Sequence, residues 1–199
     1  MEINLEEIAT AFHEAGHAFM SELVGWKYEY VEINGHKGGL FGCVERTNTK
    51  LDKLILACIC FSGGITEVLH LFSRGLGDSG GIAEKLYQFS IESDFVSVLS
   101  GAFTCNVGGG DVDLSKYREI GLYEGFREPL IEFTGKIIID NWYIVSTIAN
   151  SLAEQKRLTY EEVKRLLGDF KLRELRKKYD IYISELRAIS LEEYSIADS

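Results

Sequence analysis

A single proline, Pro129, punctuates 199 residues. No Ser/Gly linker, repeat or low-complexity tract accompanies it, so the chain offers no strong internal boundary. Basic residues are the minority, 21 Lys plus Arg against 31 Asp plus Glu, for a formal net charge of −10. A surface that acidic repels phosphate backbones and anionic lipid, which argues against nucleic acid or a membrane surface as partner. The longest nearly apolar stretch, Leu54 to Phe61, falls far short of the roughly 20 residues that span a bilayer. Met1-Glu2-Ile3-Asn4 lacks the basic n-region and apolar run of a secretory signal. Four cysteines, Cys43, Cys58, Cys60 and Cys105, show no CxxC spacing, so reduced buried thiols are expected rather than disulfides or a zinc ribbon. The expectation is a cytoplasmic domain, and 46% hydrophobic with 26% charged residues gives it material for a core.

What is present reads mainly as helix. Asn4 with Glu7 has the spacing of a capping box. Leu5, Ile8, Phe12, Phe19 and Leu23 then recur at helical intervals, and Gly25 is placed to stop the helix. Trp26 to Ile33 is aromatic and β-branched, Asn34-Gly35 is a turn signal, and Leu40 to Arg46 predicts a second strand, joined by a loop longer than the tightest hairpin class. Leu51 to about Ser73 is apolar nearly all round, as in a buried helix, and its Ser62-Gly63-Gly64 permits close approach of another backbone. Further helices are expected over about 82–99, after Asp113, and as one long helix from about Glu128 to Glu154 with Pro129 in its first turn. Gly101 to Gly110 reads as a loop. Thr159 with Glu162 forms a second capping box, opening a short helix that Gly168 ends. Residues 169–199 are charged and weakly amphipathic through Leu172, Leu175, Tyr179, Tyr182 and Leu186, and read as a solvated helical tail in preference to one that docks or dimerises.

The chemistry lies in His13-Glu14-Ala15-Gly16-His17, an HExxH inside the first helix. Residues four apart stack on one helical face, so both imidazoles can reach one metal while Glu14 sits beside its open position. Two imidazoles and a carboxylate are the ligand set of a catalytic zinc that activates water near pH 7. Glu14 would be the general base that accepts the water's proton and returns it to the leaving amine. His36 and His70 have no paired ligand and read as ordinary histidines.

The segment Ala11 to Ala18 resembles the HEAGHA signature of the zinc peptidase domain of FtsH-type proteases. Val31 to Gly42, V-E-I-N-G-H-K-G-G-L-F-G, resembles the strand–glycine–strand segment that follows the active-site helix in that family. Ser62 to Glu67 resembles its small-residue helix with a following glutamate. Gly109 to Lys116 resembles its Gly-x-x-x-Asp-Leu stretch, and Leu152 to Leu167 its closing capped helix. The resemblance runs over about residues 5–168. It implies a mainly α (α+β) zinc-peptidase domain with a small β-hairpin or sheet beside the HExxH helix. It further implies one zinc ion held by His13, His17 and Asp113, with Glu14 as base and a peptide or unfolded protein as substrate. The extended substrate would add to the β-edge at Gly38, Gly39 and Leu40, where glycines admit a backbone.

Alternatives stay open at the third ligand. Asp113 equally suits a helix N-cap, Asp111 is two residues away, and Asp78 also precedes a helix in a glycine-rich turn. Glu67 reads as a group that orients a ligand histidine or as a surface charge. The chain carries no Walker A motif, hence no AAA+ ATPase module. Relative to the family pattern it has an inserted segment within about 69–107, which leaves residues 1–168 as the peptidase unit and 169–199 as the tail. A homo-oligomer and an ATPase supplied by a separate chain are both compatible with this reading. Two other classes compete with it: a catalytically silent, peptidase-like interaction module, and a zinc hydrolase acting on a non-peptide bond.

Overall fold

A computed structural model describes residues 5–34, 37–41, 50–75, 121–168, 172–181 and 184. The expected helices 82–99 and after Asp113, the glycine loop, and the residues Asp78, Asp111 and Asp113 lie outside the described residues. The observed order is α1 (Leu5–Val24), β1 (Tyr30–Asn34), β2 (Lys37–Phe41), α2 (Lys50–Ser73), α3 (Gly121–Asp140), α4 (Trp142–Gln155), β3 (Arg157–Thr159) and α5 (Tyr160–Leu167). Residues 172–181 form one more helical segment. The described residues are therefore mainly helical, with one small antiparallel sheet of order β2-β1-β3 among them. No helix among the described residues is long and apolar enough to cross a membrane.

The central element is α1, which packs on α2, α4 and the sheet. Its stripe of Phe12, Ala15, Phe19, Met20 and Leu23 is almost fully buried. Burying one Phe or Leu side chain is worth about 1.5–3 kcal/mol, so this face holds the helix in place. The helix stops where the glycine predicts. Gly25 takes φ +73°, its N–H donates to Glu22 O, and Trp26 N donates to Ser21 O at 2.8 Å, the paired bonds of a Schellman ending. No basic residue stands in the last turn of α1. The cation that complements its carbonyls comes from far down the chain, because Arg176 donates to Glu22 O at 2.8 Å and to Leu23 O at 3.2 Å.

Three expectations need correction, and one short strand escaped the sequence reading. The second strand begins at Lys37 rather than Leu40, and Asn34 pairs with Lys37, so only two residues join β1 and β2. The long helix is two. It starts upstream at Gly121, which puts Pro129 in the third turn rather than the first. It breaks at Asn141, whose Nδ2 donates to Ile137 O and whose backbone leaves the helical region at φ −121°, ψ 20°. A side chain that competes for backbone carbonyls ends the first helix there. β3 is too short to show a period, and it exists because Val31 and Leu158 pair across β1 and are both buried. Finally, residues 172–181 are docked rather than solvated, with Leu172 and Tyr179 buried in the main core. The second capping box forms as expected, with Thr159 and Glu162 exchanging both bonds and Gly168 ending α5.

Candidate metal centre

The crossing of α1 and α2 builds the site. On α1 the facing positions are His13, Gly16 and His17. On α2 they are Ile59, Ser62, Gly63, Thr66 and Glu67, whose 3-1-3-1 spacing marks one helical face. The two backbones come together because glycines meet at the crossing. A Cβ on Gly16 would overlap the Ser62 carbonyl oxygen and stand 2.5 Å from Thr66 Oγ1. A Cβ on Gly63 would overlap the His17 ring and stand 2.8 Å from His13 Nε2. Gly63 is the close-approach residue that the sequence announced. Gly16 inside the motif was missed as a contact, and its only sequence signal is a glycine in mid-helix, where it costs helix stability.

The imidazoles converge. His13 Nε2 and His17 Nε2 are 3.0 Å apart, near the about 3.3 Å expected for two nitrogens bound at 2.0–2.1 Å to one tetrahedral zinc. The other ring nitrogens are already engaged. His13 Nδ1 donates to Glu67 Oε2 at 2.9 Å, and His17 Nδ1 donates to Ile59 O at 2.7 Å. A carbonyl and a carboxylate accept only, so each neutral ring carries its proton on Nδ1 and turns its Nε2 lone pair toward the other. Burial, with the neighbouring His13 charge, pulls the His17 pKa down to about 3 against a raising contribution from Ile59. His17 is thus neutral at ordinary pH, the state of a metal ligand. A carboxylate or carbonyl behind a ligating histidine is the usual orienting arrangement, and this is the role the sequence offered for Glu67.

Glu14 sits on the next face of α1, about 100° round from His13. It is buried and β2 lies against it, since a Cβ on Gly38 would stand 2.5 Å from Glu14 Cγ and 2.7 Å from Oε1. Any side chain at position 38 would displace that carboxylate. Gly38 and Gly39 stand opposite Ile33 and Glu32, and Leu40 opposite Val31. Among the described residues β2 pairs with β1 alone, so its other edge presents backbone donors and acceptors.

Among the described residues no group of three or more His, Cys, Asp or Glu is placed to hold a metal. The pair His13–His17 is brought together, and the expected third ligand Asp113 lies outside the described residues, as do its rivals. The donor chemistry of the pair fits a divalent zinc-like ion. His70 is buried and stacked on Phe12 with centroids 3.8 Å apart, as expected of a core histidine, while His36 is outside the described residues. Cys58 and Cys60 are free, buried thiols, and burial pushes the Cys58 pKa up to about 12, so it is inert. No family model matches this chain, and no curated protein matches it either.

Proposed function

We propose that this protein is a zinc-dependent metalloendopeptidase holding one zinc ion, similar in its chemistry to the peptidase domain of FtsH-type proteases. One observation carries the reading. Two imidazoles whose Nδ1 protons are already committed face each other, Nε2 to Nε2, at 3.0 Å. Opposed lone pairs repel, and a divalent cation between them turns that repulsion into binding.

His13 and His17 would hold the ion, with Asp113 as the third ligand that the resemblance implies. When bound, zinc supplies Lewis-acid activation of water at neutral pH. The remaining work belongs to the chain. Glu67 and the Ile59 carbonyl fix the two rings in the ligating tautomer. Glu14, buried against β2, takes a proton from water and delivers it to the amine that leaves. An extended peptide added along the outer edge of β2, at Gly38 to Leu40, would lie against the strand that covers this carboxylate.

Zinc content and hydrolysis of casein or an unfolded reporter test the reading together. The wild type should retain one zinc per chain, His17→Ala should lose it, and Glu14→Gln should keep it while cleavage falls by about a factor of a thousand. Equal cleavage by wild type and Glu14→Gln, or none by either, would transfer support to a peptidase-like interaction module. Loss of zinc in Asp113→Asn, but not in Asp111→Asn or Asp78→Asn, is the expected outcome for the third ligand.

A further inference from the structure

At the far end of α1 from the imidazole pair, the fold collects cations that the overall charge of −10 would not lead one to look for. A cavity of about 480 Å³ opens between the α1–β1 connection, α5 and the segment 172–181, and Lys27, Tyr160, Lys164, Arg173 and Arg176 line it. That volume is in the range of small-molecule sites. The four cations come from three separate stretches of chain and meet only because residues 172–181 dock. Arg173 and Arg176 are three apart on one helical face.

Several cations elsewhere in the molecule are ion-paired. Lys156 meets Glu7 at 2.8 Å, and Arg157 and Arg165 each reach an acidic side chain within 4.0 Å. Among the described residues Lys27, Lys164 and Arg173 make no ion pair. Arg176 is committed to the α1 carbonyls, which fixes its position at the cavity wall. Beneath them lies Glu22, with no exposed surface, and the Tyr160 hydroxyl is directed at its carboxylate. Arg176 and Lys164 act on it electrostatically. Three cations that make no ion pair among the described residues, gathered around one concavity, suit a ligand of charge −2 or more better than a single carboxylate.

We propose that this cavity binds a phosphate-bearing small molecule through Lys27, Lys164 and Arg173, at a site distinct from the imidazole pair. The buried Glu22 carboxylate offsets part of the positive charge while the cavity holds no anion, and its charge opposes ligand binding. This sets a sign that a purely structural role would not produce. Removing a lining cation must weaken the ligand, and neutralising Glu22 must tighten it.

Calorimetric titration of the whole chain with inorganic phosphate and pyrophosphate is the test, run with and without a metal chelator. Saturable binding is expected, tighter for pyrophosphate and unchanged by the chelator. Lys164→Gln with Arg173→Gln, both at exposed positions, should weaken it about tenfold or more, and Glu22→Gln should tighten it severalfold. No saturation through millimolar concentrations, equal affinity in the double variant, or unchanged affinity in Glu22→Gln would overturn the proposal. Binding only to vesicles carrying phosphatidic acid, with no response to the soluble anions, would overturn it in favour of a lipid headgroup.

Discussion

Glu14 and Glu22 sit eight residues apart on α1, about 12 Å along its axis, and both are buried. Their surroundings differ in kind. Glu14 is overlaid by the bare backbone of Gly38 and stands next in sequence to a histidine whose ring is braced by Glu67. Glu22 is enclosed by Tyr28 from the α1–β1 connection, Tyr160, Glu161 and Lys164 from α5, and Arg176 from the docked segment. Over the first carboxylate lies bare backbone, packed so closely that a Cβ at position 38 has no room. The second is walled in by side chains, and burial pushes its pKa up to about 7 against the pull of Arg176 and Lys164. Burial alone therefore does not mark a carboxylate as a base; what stands over it does.

The comparison can be broken first at the crossing of α1 and α2. Gly63→Ala puts a methyl into the His17 ring, so the variant should lose retained zinc and about 1–3 kcal/mol of stability, read by metal analysis and urea unfolding. Wild-type zinc content in that variant would remove the close-approach account of the metal half.

At the other half, linkage gives the next largest effect. Glu22 has its pKa raised from 4.5 to about 7 in the folded state, so the native chain binds more protons than the unfolded chain between those values. Its contribution is fully present below pH 4.5 and is lost as pH rises through 7, on the order of 3 kcal/mol in all. Glu22→Gln should lack that decline and be more stable than wild type at pH 8, as urea midpoints at pH 5 and pH 8 would show. Identical pH profiles would mean that the two glutamates do not differ as described.

Glu67→Gln sharpens the metal half more gently. It keeps the helix and weakens the acceptor behind His13, so zinc affinity in chelator competition should fall about 10- to 100-fold. Smallest is Thr159→Ala, which removes the cap of the helix that carries Tyr160 and Lys164. About 1 kcal/mol of stability should go, with zinc retention untouched.

Much of the first half was legible because its signals are local. Periodicity with Gly25 bounds α1, the apolar run bounds α2, and Thr159 with Glu162 opens α5, each where it was expected. His13, His17 and the orienting role of Glu67 follow from helical spacing and the family resemblance. What escaped depends on meetings across the chain. Arg176 reaches α1 from 153 residues away, Gly16 matters only because Ser62 passes over it, and β3 has three residues. In 169–199 the charged composition outweighed the weak stripe through Leu172 and Tyr179, two contacts spaced so that one face docks while the other stays wet.

The two-residue link between β1 and β2 reaches further than its size suggests. By tying Asn34 to Lys37 it dictates which strand position comes to rest over Glu14. Side chains alternate faces along a strand, so one inserted residue in that link would trade the glycine for a neighbour with bulk. That short connector thus sets which position of β2 comes to rest on Glu14, and a lesion there would disturb this carboxylate without touching either histidine of the pair.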